Sequence, residues 1–338
     1  MKTVSSRKGE RTVRRKVIFV LCSLCAVLGF FTVLSVNKVL NSEWELPSAV
    51  SSDQERQRIV LITQELDTPF WKLVGEGAAN QAEREEVGFE LWGSYGKNQE
   101  DFLKQMEIAL HSKVDGVIVQ GNDTDEFQQL ARIKAASYGI PIITVANDVP
   151  VEKSLRKTYV GSDHYAAGEL LVKQLVDDMG DAGEIILLGD AELEYSERLR
   201  LDGMQDSLEQ YAGIRSTYIE SGSSDEEAAD AAQQALNEHP NVDAFILLDI
   251  RQARVIMQEI SSRTELEPFF LYSFDDGSDA SALLTEGKLD AIIEQSPEEM
   301  GEKSVEMMMK WLRNEVVPLD STGYVTDIRI VEGKDELP

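Results

Sequence analysis

Short apolar runs alternate with amphipathic stretches from residue 58 almost to the carboxyl end of the chain. The first run begins at Arg58 and has the length of a strand. Polar residues that include Thr68 follow it, and then Pro69, Phe70 and Trp71. A buried parallel strand that leads through a short loop into a helix has this pattern. Because ligands of open α/β sheets bind beyond the carboxyl ends of such strands, we expect this first loop to line a ligand site.

The same unit of strand and helix recurs along the rest of the chain. Further strands are predicted at 89–92, 114–119, 140–145, 159–163, 184–188, 216–219, 242–248, 269–274, 291–293 and 328–331, and a long helix at about 297–312. Strands that alternate with helices predict parallel sheets with helices on both faces. A break in the pattern near Ser162 favours an α/β fold with two doubly wound parallel-sheet lobes. A single barrel of eight units is the alternative.

An uncharged segment precedes this body. Val17–Val36 is a run of 20 residues without a charged side chain, and as a helix it would span about 30 Å, the thickness of a bilayer core. We interpret 17–36 as one transmembrane anchor, 1–16 as a cytoplasmic basic segment and 37–56 as a linker, with the body outside the cell membrane. A cleaved signal peptide usually has a shorter apolar region. A lipoprotein signal fits poorly, because Cys22 and Cys25 both follow leucine.

Composition narrows the classes of partner. The chain has 338 residues and a formal net charge of −28, although residues 1–16 are basic. Such an acidic body repels phosphate backbones, which argues against nucleic acid as a partner. Both cysteines lie in the apolar segment, so neither a disulfide framework nor a cysteine metal site is expected in the body. We assign no cofactor and no metal.

Polar and aromatic side chains follow the predicted strands of both halves. They are Thr68, Phe70, Trp71, Asn147, Asp148, Asp249, Asp275 and Gln295, and Arg200 lies in a helix of the second half. Aromatic rings cover the C–H face of a sugar, carboxylates accept hydrogen bonds from hydroxyl pairs, and arginine and amides donate them. Simpler roles remain open: the aromatics as core residues, the aspartates as helix caps, and Arg200 paired with Glu197 or Asp202.

Six segments, in order from about Arg58 to Val331, resemble the type I periplasmic sugar-binding proteins, the ribose- and galactose-binding group. They are 66–71, 114–119, 139–144, 159–168, 274–276 and 295–297. In that family, first-loop aromatics, the arginine of an Arg-x-x-Gly element, the Asp of a Phe-Asp pair and a late Gln contact the sugar. The resemblance implies these roles for Phe70, Trp71, Arg200, Asp275 and Gln295, with Asp249 where the family has Asn or Asp.

Two departures from the ribose-type pattern put ribose itself in doubt. Ala146-Asn147 stands where that pattern has Asp-Arg, and Thr68 stands where it has Asn. We expect Asn147 or Asp148 to take over the lost contacts. The resemblance also implies three crossings between lobes, near Ser162, Gln295 and Asp327. These give one lobe of 57–162 and 296–327 and a second lobe of 163–295 and 328–338, which would close about the ligand by a hinge motion.

The sequence therefore predicts extracytoplasmic binding of a small sugar or polyol. The bound state would serve either an ABC-type permease or a membrane sensor such as a histidine kinase. A LacI-like regulator core is disfavoured, because residues 1–16 are too few for a helix-turn-helix domain. An α/β enzyme is also disfavoured, because the sequence has no Gly-x-Ser-x-Gly elbow, phosphate loop or dinucleotide-binding glycine pattern.

Overall fold

The computed structural model describes residues 57–333, except for 97, 192, 223, 249–252, 263–268 and 275–277. The predicted anchor at 17–36 and the predicted ligand contacts of Asp249 and Asp275 therefore lie outside the described residues. Within the described part, no helix is long and apolar enough to cross a membrane.

The first lobe contains a sheet of six described strands in the order β11-β5-β4-β3-β1-β2, in which β11 comes from near the carboxyl end of the chain and every neighbouring pair is parallel. Its strands are β1 (Arg58–Thr63), β2 (Gly88–Gly93), β3 (Gly116–Gln120), β4 (Ile142–Val145), β5 (Thr158–Gly161) and β11 (Tyr324–Val325). Alternate residues of β1 enter two different cores: Ile59 and Leu61 pack on one face of the sheet, and Val60 and Ile62 on the other. This two-sided burial explains why the strand is an unbroken apolar run.

A second sheet of six described strands has the matching order β12-β10-β9-β8-β6-β7. Its strands are β6 (Ala182–Gly189), β7 (Gly213–Glu220), β8 (Ala244–Leu247), β9 (Phe270–Phe274), β10 (Ala291–Glu294) and β12 (Arg329–Glu332). All neighbouring pairs are parallel except β10 and β12, which are antiparallel. Two separate sheets confirm the two-lobed α/β fold and exclude the eight-unit barrel.

Helices cover both faces of each sheet. They are α1 (Pro69–Arg84), α2 (Gln99–His111), α3 (Asp125–Gln129), a π-helix (Leu130–Ala135), α4 (Ala136–Tyr138), α5 (Val151–Ser154), α6 (His164–Met179), α7 (Tyr195–Leu208), α8 (Asp225–Glu238), α9 (Ala253–Ser262), α10 (Ser278–Thr285) and α11 (Pro297–Leu312). The long helix predicted at 297–312 is confirmed with the same bounds.

The helix that follows the fifth strand of each sheet packs in the other lobe. After β5, α6 contributes Leu171 and Leu175 to the core of the second lobe. After β10, α11 contributes Met300 and Met308 to the core of the first lobe. Each lobe therefore contains one helix, α6 or α11, whose preceding strand belongs to the other lobe.

Each exchanged helix meets its neighbour with backbone against backbone. A Cβ atom built on Gly203 of α7 would lie 2.1 Å from the carbonyl oxygen of Tyr165, and one on Gly168 of α6 would lie 2.2 Å from that of Arg200. In the first lobe, Gly77 of α1 and Gly301 of α11 make the same reciprocal approach, at 2.1 Å and 2.0 Å. Only glycine allows helices to approach this closely.

The chain passes between the sheets three times, after β5, after β10 and after β11. Hydrogen bonds join the three segments. The hydroxyl of Ser162 donates to Oε1 of Gln295 at 2.9 Å, the backbone N–H of Thr326 donates to the carbonyl of Gly161 at 2.9 Å, and the hydroxyl of Ser296 donates to the carbonyl of Asp327 at 3.1 Å.

Candidate functional site

Side chains of the two lobes meet beyond the carboxyl ends of the strands, in a region that we call the cleft. Nδ2 of Asn147, after β4, donates to Oε2 of Glu194 at 2.6 Å. Nη2 of Arg198, in α7, donates to Oδ2 of Asp123, after β3, at 2.6 Å. The loops of the first lobe and the start of α7 therefore form facing walls, as expected for an open α/β sheet.

The first loop is fixed by the cap of α1. The hydroxyl of Thr68 accepts a hydrogen bond from the backbone N–H of Trp71 at 3.4 Å and donates to the carbonyl of Glu65 at 3.0 Å. Such a cap satisfies one of the free N–H groups of the first helical turn. Thr68 therefore orients the loop, and its contact with a ligand stays a prediction.

The two aromatics of this loop have different surroundings. Trp71 is 3% exposed and packs in the core of the first lobe with Val74 and Ala146. Phe70 is half-buried, and its ring meets that of Trp71 edge-on, with centroids 5.6 Å apart. The core role is thus the better-supported one for Trp71, and Phe70 is the aromatic more open to a ligand.

Asn147 is presented by a strained three-residue turn. Its backbone N–H donates to the carbonyl of Val145 at 2.7 Å, and Ala146 between them has a φ of 62°. A non-glycine residue in this region costs roughly 1–3 kcal/mol and persists only where its surroundings hold it, which is common at functional sites. The carbonyl of Ala146 is held by Tyr159 and His164, at 2.9 Å and 3.0 Å.

Asp148 lies in a buried ion pair. Its carboxylate accepts from Nη2 of Arg156 at 2.5 Å and from the hydroxyl of Thr144 at 2.6 Å. Burial raises the pKa of Asp148, and the Arg156 guanidinium offsets only part of that shift. Because both carboxylate oxygens are engaged within the first lobe, the geometry favours a structural role, and a ligand contact by Asp148 stays a prediction.

Arg200 is held at two points. Its Nε donates to Nδ1 of His164 at 3.1 Å, and its guanidinium lies 5.1 Å from the ring centroid of Phe274, at the carboxyl end of β9. The predicted alternative, a pair with Glu197 or Asp202, is absent from this described part of the structure. Neither terminal amino group of Arg200 donates to another described residue.

His164 is buried between the lobes, with 3% of its surface exposed. Burial and the neighbouring Arg200 charge lower the pKa of His164 to about 3. The ring is therefore neutral near pH 7. Since the Nε of arginine can only donate, Nδ1 of His164 must accept, and the proton lies on Nε2.

Gln295 lies between β10 and α11, where the chain crosses from the second lobe to the first. Its Oε1 accepts from the hydroxyl of Ser162 at 2.9 Å. Asp249 and Asp275 fall in gaps of the described chain, Asp249 two residues after the end of β8 and Asp275 directly after β9. The structure therefore brings Asn147, Arg200 and Gln295 to the meeting of the lobes, while the roles of all predicted site residues stay predictions.

Sequence reasoning missed several polar groups of the cleft. Gln120 ends β3 and is 1% exposed, and its Oε1 accepts from the hydroxyl of Thr63 and the backbone N–H of Gln64, both at 2.8 Å. Glu194 and Glu197 form a capping box at the start of α7. A polar residue that ends an apolar run marks Gln120, and the Glu-x-x-Glu spacing marks Glu194. No sequence pattern shows that Asp123 and Arg198 meet.

The described residues hold no group of three or more His, Cys, Asp or Glu side chains arranged to bind a metal ion.

Comparison with known proteins gives the same family over most of the body. A family model described as a periplasmic binding protein domain matches residues 59–315. The ribose import binding protein of Escherichia coli (strain K12) is 22% identical over 291 residues, which covers 85% of this chain and 94% of that protein.

Two solved structures have a similar fold. GanP, a glucose-galactose binding protein from Geobacillus stearothermophilus, superposes with a TM-score of 0.76 at 30% identity, covering 84% of this chain and 99% of GanP. A chain of the XylFII-LytSN complex superposes with a TM-score of 0.69 at 22% identity, covering 83% of this chain and 100% of that one. At that identity the second likeness shows the fold alone.

Proposed function

The chain belongs to the periplasmic binding protein domain family, and we propose that its body binds a small sugar or polyol in the cleft between its lobes. Proteins similar to it are binding proteins rather than enzymes. The observation that carries the proposal is the geometry of Arg200, whose Nε is fixed by His164 while neither terminal amino group donates to another described residue. A fixed guanidinium fork that donates in one plane suits the paired oxygens of a sugar.

The rest of the cleft has matching chemistry. Phe70 supplies an apolar surface, Asn147 and Gln295 supply amides, and Asp249 and Asp275 come within two residues of the ends of strands of the second lobe. A few convergent polar groups beside an apolar wall are typical of a small-molecule pocket. The names of similar proteins, a ribose import binding protein and a glucose-galactose binding protein, support a sugar.

Hinge closure about the ligand is part of the proposal. The three hydrogen-bonded crossings support lobes of 57–162 with 296–327, and of 163–295 with 328–338. The Asp123–Arg198 and Asn147–Glu194 contacts link the lobes at the cleft and would have to break for a ligand to enter. Rigid lobes that rotate about short hinges are one of the common modes of ligand-linked motion.

The bound state would be used at the cell membrane. The uncharged run at 17–36 supports a single-pass anchor, with the cleft outside the membrane. Delivery to an ABC-type permease and presentation to a sensor histidine kinase are both open. A permanent anchor favours presentation, because a delivery protein usually diffuses. A protein of the same fold has been solved in a complex with a second protein, LytSN.

A thermal-shift screen of the full chain with pentoses, hexoses and polyols tests sugar binding. A ligand at about 100 times its Kd should stabilise the fold by about 2.7 kcal/mol, which raises the Tm by roughly 4–5 °C for a protein of this size. Arg200→Gln should lose most of this shift, because a charge-assisted donor pair is removed.

The control is Arg215→Gln, which changes an arginine on β7 whose side chain is 79% exposed. It should keep the full shift. The proposal is refuted if no sugar in the panel raises the Tm. It is also refuted if a sugar raises the Tm of Arg200→Gln as much as that of the unmodified chain.

A further inference from the structure

His164 connects the two walls of the cleft through one imidazole ring. It is the first residue of α6, in the second lobe, and its Nδ1 accepts from Nε of Arg200 at 3.1 Å. Its Nε2 lies 3.0 Å from the carbonyl oxygen of Ala146 and 3.1 Å from the hydroxyl oxygen of Tyr159, both in the first lobe. Both ring nitrogens are therefore in use, and neither faces solvent.

The chemistry of these partners fixes what each nitrogen does. Arginine has donors only, so Nδ1 must accept the hydrogen bond from Arg200. The carbonyl of Ala146 is an acceptor, so Nε2 must donate. A neutral imidazole protonated on Nε2 satisfies both contacts, and no other protonation state does so.

The packing around Arg200 leaves it little freedom. The reciprocal approach of Gly168 and Gly203 holds α7 against α6, so that Arg200 reaches the first turn of α6. The guanidinium also lies over the Phe274 ring. With its Nε bonded to His164, the plane of the guanidinium is set on one edge by the imidazole and on one face by an aromatic ring.

We propose that His164 is a positioning residue, which aims the terminal amino groups of Arg200 at the ligand and ties that aim to the Ala146 turn of the first lobe. This inference rests on the proposed role of Arg200 in sugar binding. Because the same turn presents Asn147, His164 couples a donor on each wall of the cleft.

Two substitutions separate these contacts. In His164→Asn, the amide oxygen can take the place of Nδ1 and accept from Arg200, while the hydroxyl of Tyr159 still donates to the Ala146 carbonyl. In His164→Gln, an amide N–H can take the place of Nε2 and donate to Ala146, while the acceptor for Arg200 is lost. Sugar affinity of the full chain, measured by calorimetry, should fall about 10-fold in His164→Gln and stay within about 3-fold in His164→Asn. His111→Gln, at an exposed histidine of α2, is the control and should not change it.

A second measurement uses the unmodified chain and no ligand. With isotope-labelled arginine and histidine, nuclear magnetic resonance should show the Nε2-protonated tautomer of His164 and a coupling through the hydrogen bond between Arg200 Nε and His164 Nδ1. The coupling should vanish in His164→Gln.

Equal affinities in His164→Gln and His164→Asn, or an Arg200 Nε without that coupling, would overturn the inference. A chain that shows the coupling but binds no sugar would instead refute the proposed function.

Discussion

Replacing Gly203 with alanine is expected to destabilise the chain by more than about 3 kcal/mol. Helix propensity alone predicts the opposite, because alanine is favoured over glycine inside a helix by about 1 kcal/mol. In the structure, a steric clash outweighs this gain in helix propensity, because the added methyl group would lie 2.1 Å from the carbonyl oxygen of Tyr165. That oxygen belongs to the backbone of α6, so the contact can be relieved only by moving one helix away from the other.

The consequence reaches the cleft, because Arg200 is one turn away on α7. Separation of α6 and α7 lengthens the hydrogen bond from Arg200 to His164, so sugar affinity should fall together with stability.

The free energy of unfolding is measured by urea titration. Gly75→Ala is the matched control: the nearest atom to its methyl group would be Cδ2 of Leu91, the movable end of a side chain, at 2.6 Å. It should stay within about 1 kcal/mol of the unmodified chain. A Gly203→Ala variant that is as stable as the unmodified chain would contradict the close crossing of α6 and α7.

Replacing Arg156 with methionine is expected to cost about 3–5 kcal/mol near pH 7, because it leaves Asp148 as a buried carboxylate without its counter-ion. Arg156 also donates to the carbonyl of Ser321 at 2.9 Å and to that of Val149 at 3.3 Å, so three groups lose a partner. Arg215→Met, which removes an exposed arginine, should change stability by less than about 0.5 kcal/mol.

The stability cost of Arg156→Met should depend on pH. Burial already raises the pKa of Asp148 above its usual range, and loss of Arg156 raises it further. The folded variant then binds a proton more tightly than the unfolded chain does. The variant's loss of stability is therefore complete above the pKa that Asp148 has in the folded variant. It becomes smaller as the pH falls through that pKa. Urea titrations at two pH values test this, and a deficit that is the same at both would show that Asp148 is not the cause.

Apolar periodicity predicts most of the framework, because the central strands, such as β1 and β3, are buried on both faces and read as unbroken apolar runs. It does not predict β11, because two residues at a sheet edge, Tyr324 and Val325, form no run. Nor does it predict that β12 is antiparallel, since strand direction depends on where the chain arrives after its last crossing. The exchange of α6 and α11 between lobes likewise leaves no mark on the period of either helix.

The sequence predicts less of the site than of the fold. Side chains that follow strands could be predicted as a group, because parallel strands end at one edge of a sheet. Asp148 shows the limit: its position gives no sign that Arg156, eight residues later, neutralises it. His164 shows the other limit. The sequence shows only a lone histidine near the start of a helix, and its contacts with Ala146 and Arg200 arise only when the two lobes come together.

Sugar binding in the cleft is tested most directly by hydrogen–deuterium exchange of the full chain, with and without the best sugar of the screen. A ligand held between the lobes should slow exchange in segments from both walls, 64–72 and 144–149 of the first lobe and 195–201 of the second. The outer helices α2 and α8 should be unaffected. Protection on both walls is the result that we predict. Protection confined to one lobe, or none at a saturating sugar concentration, would contradict a site between the lobes.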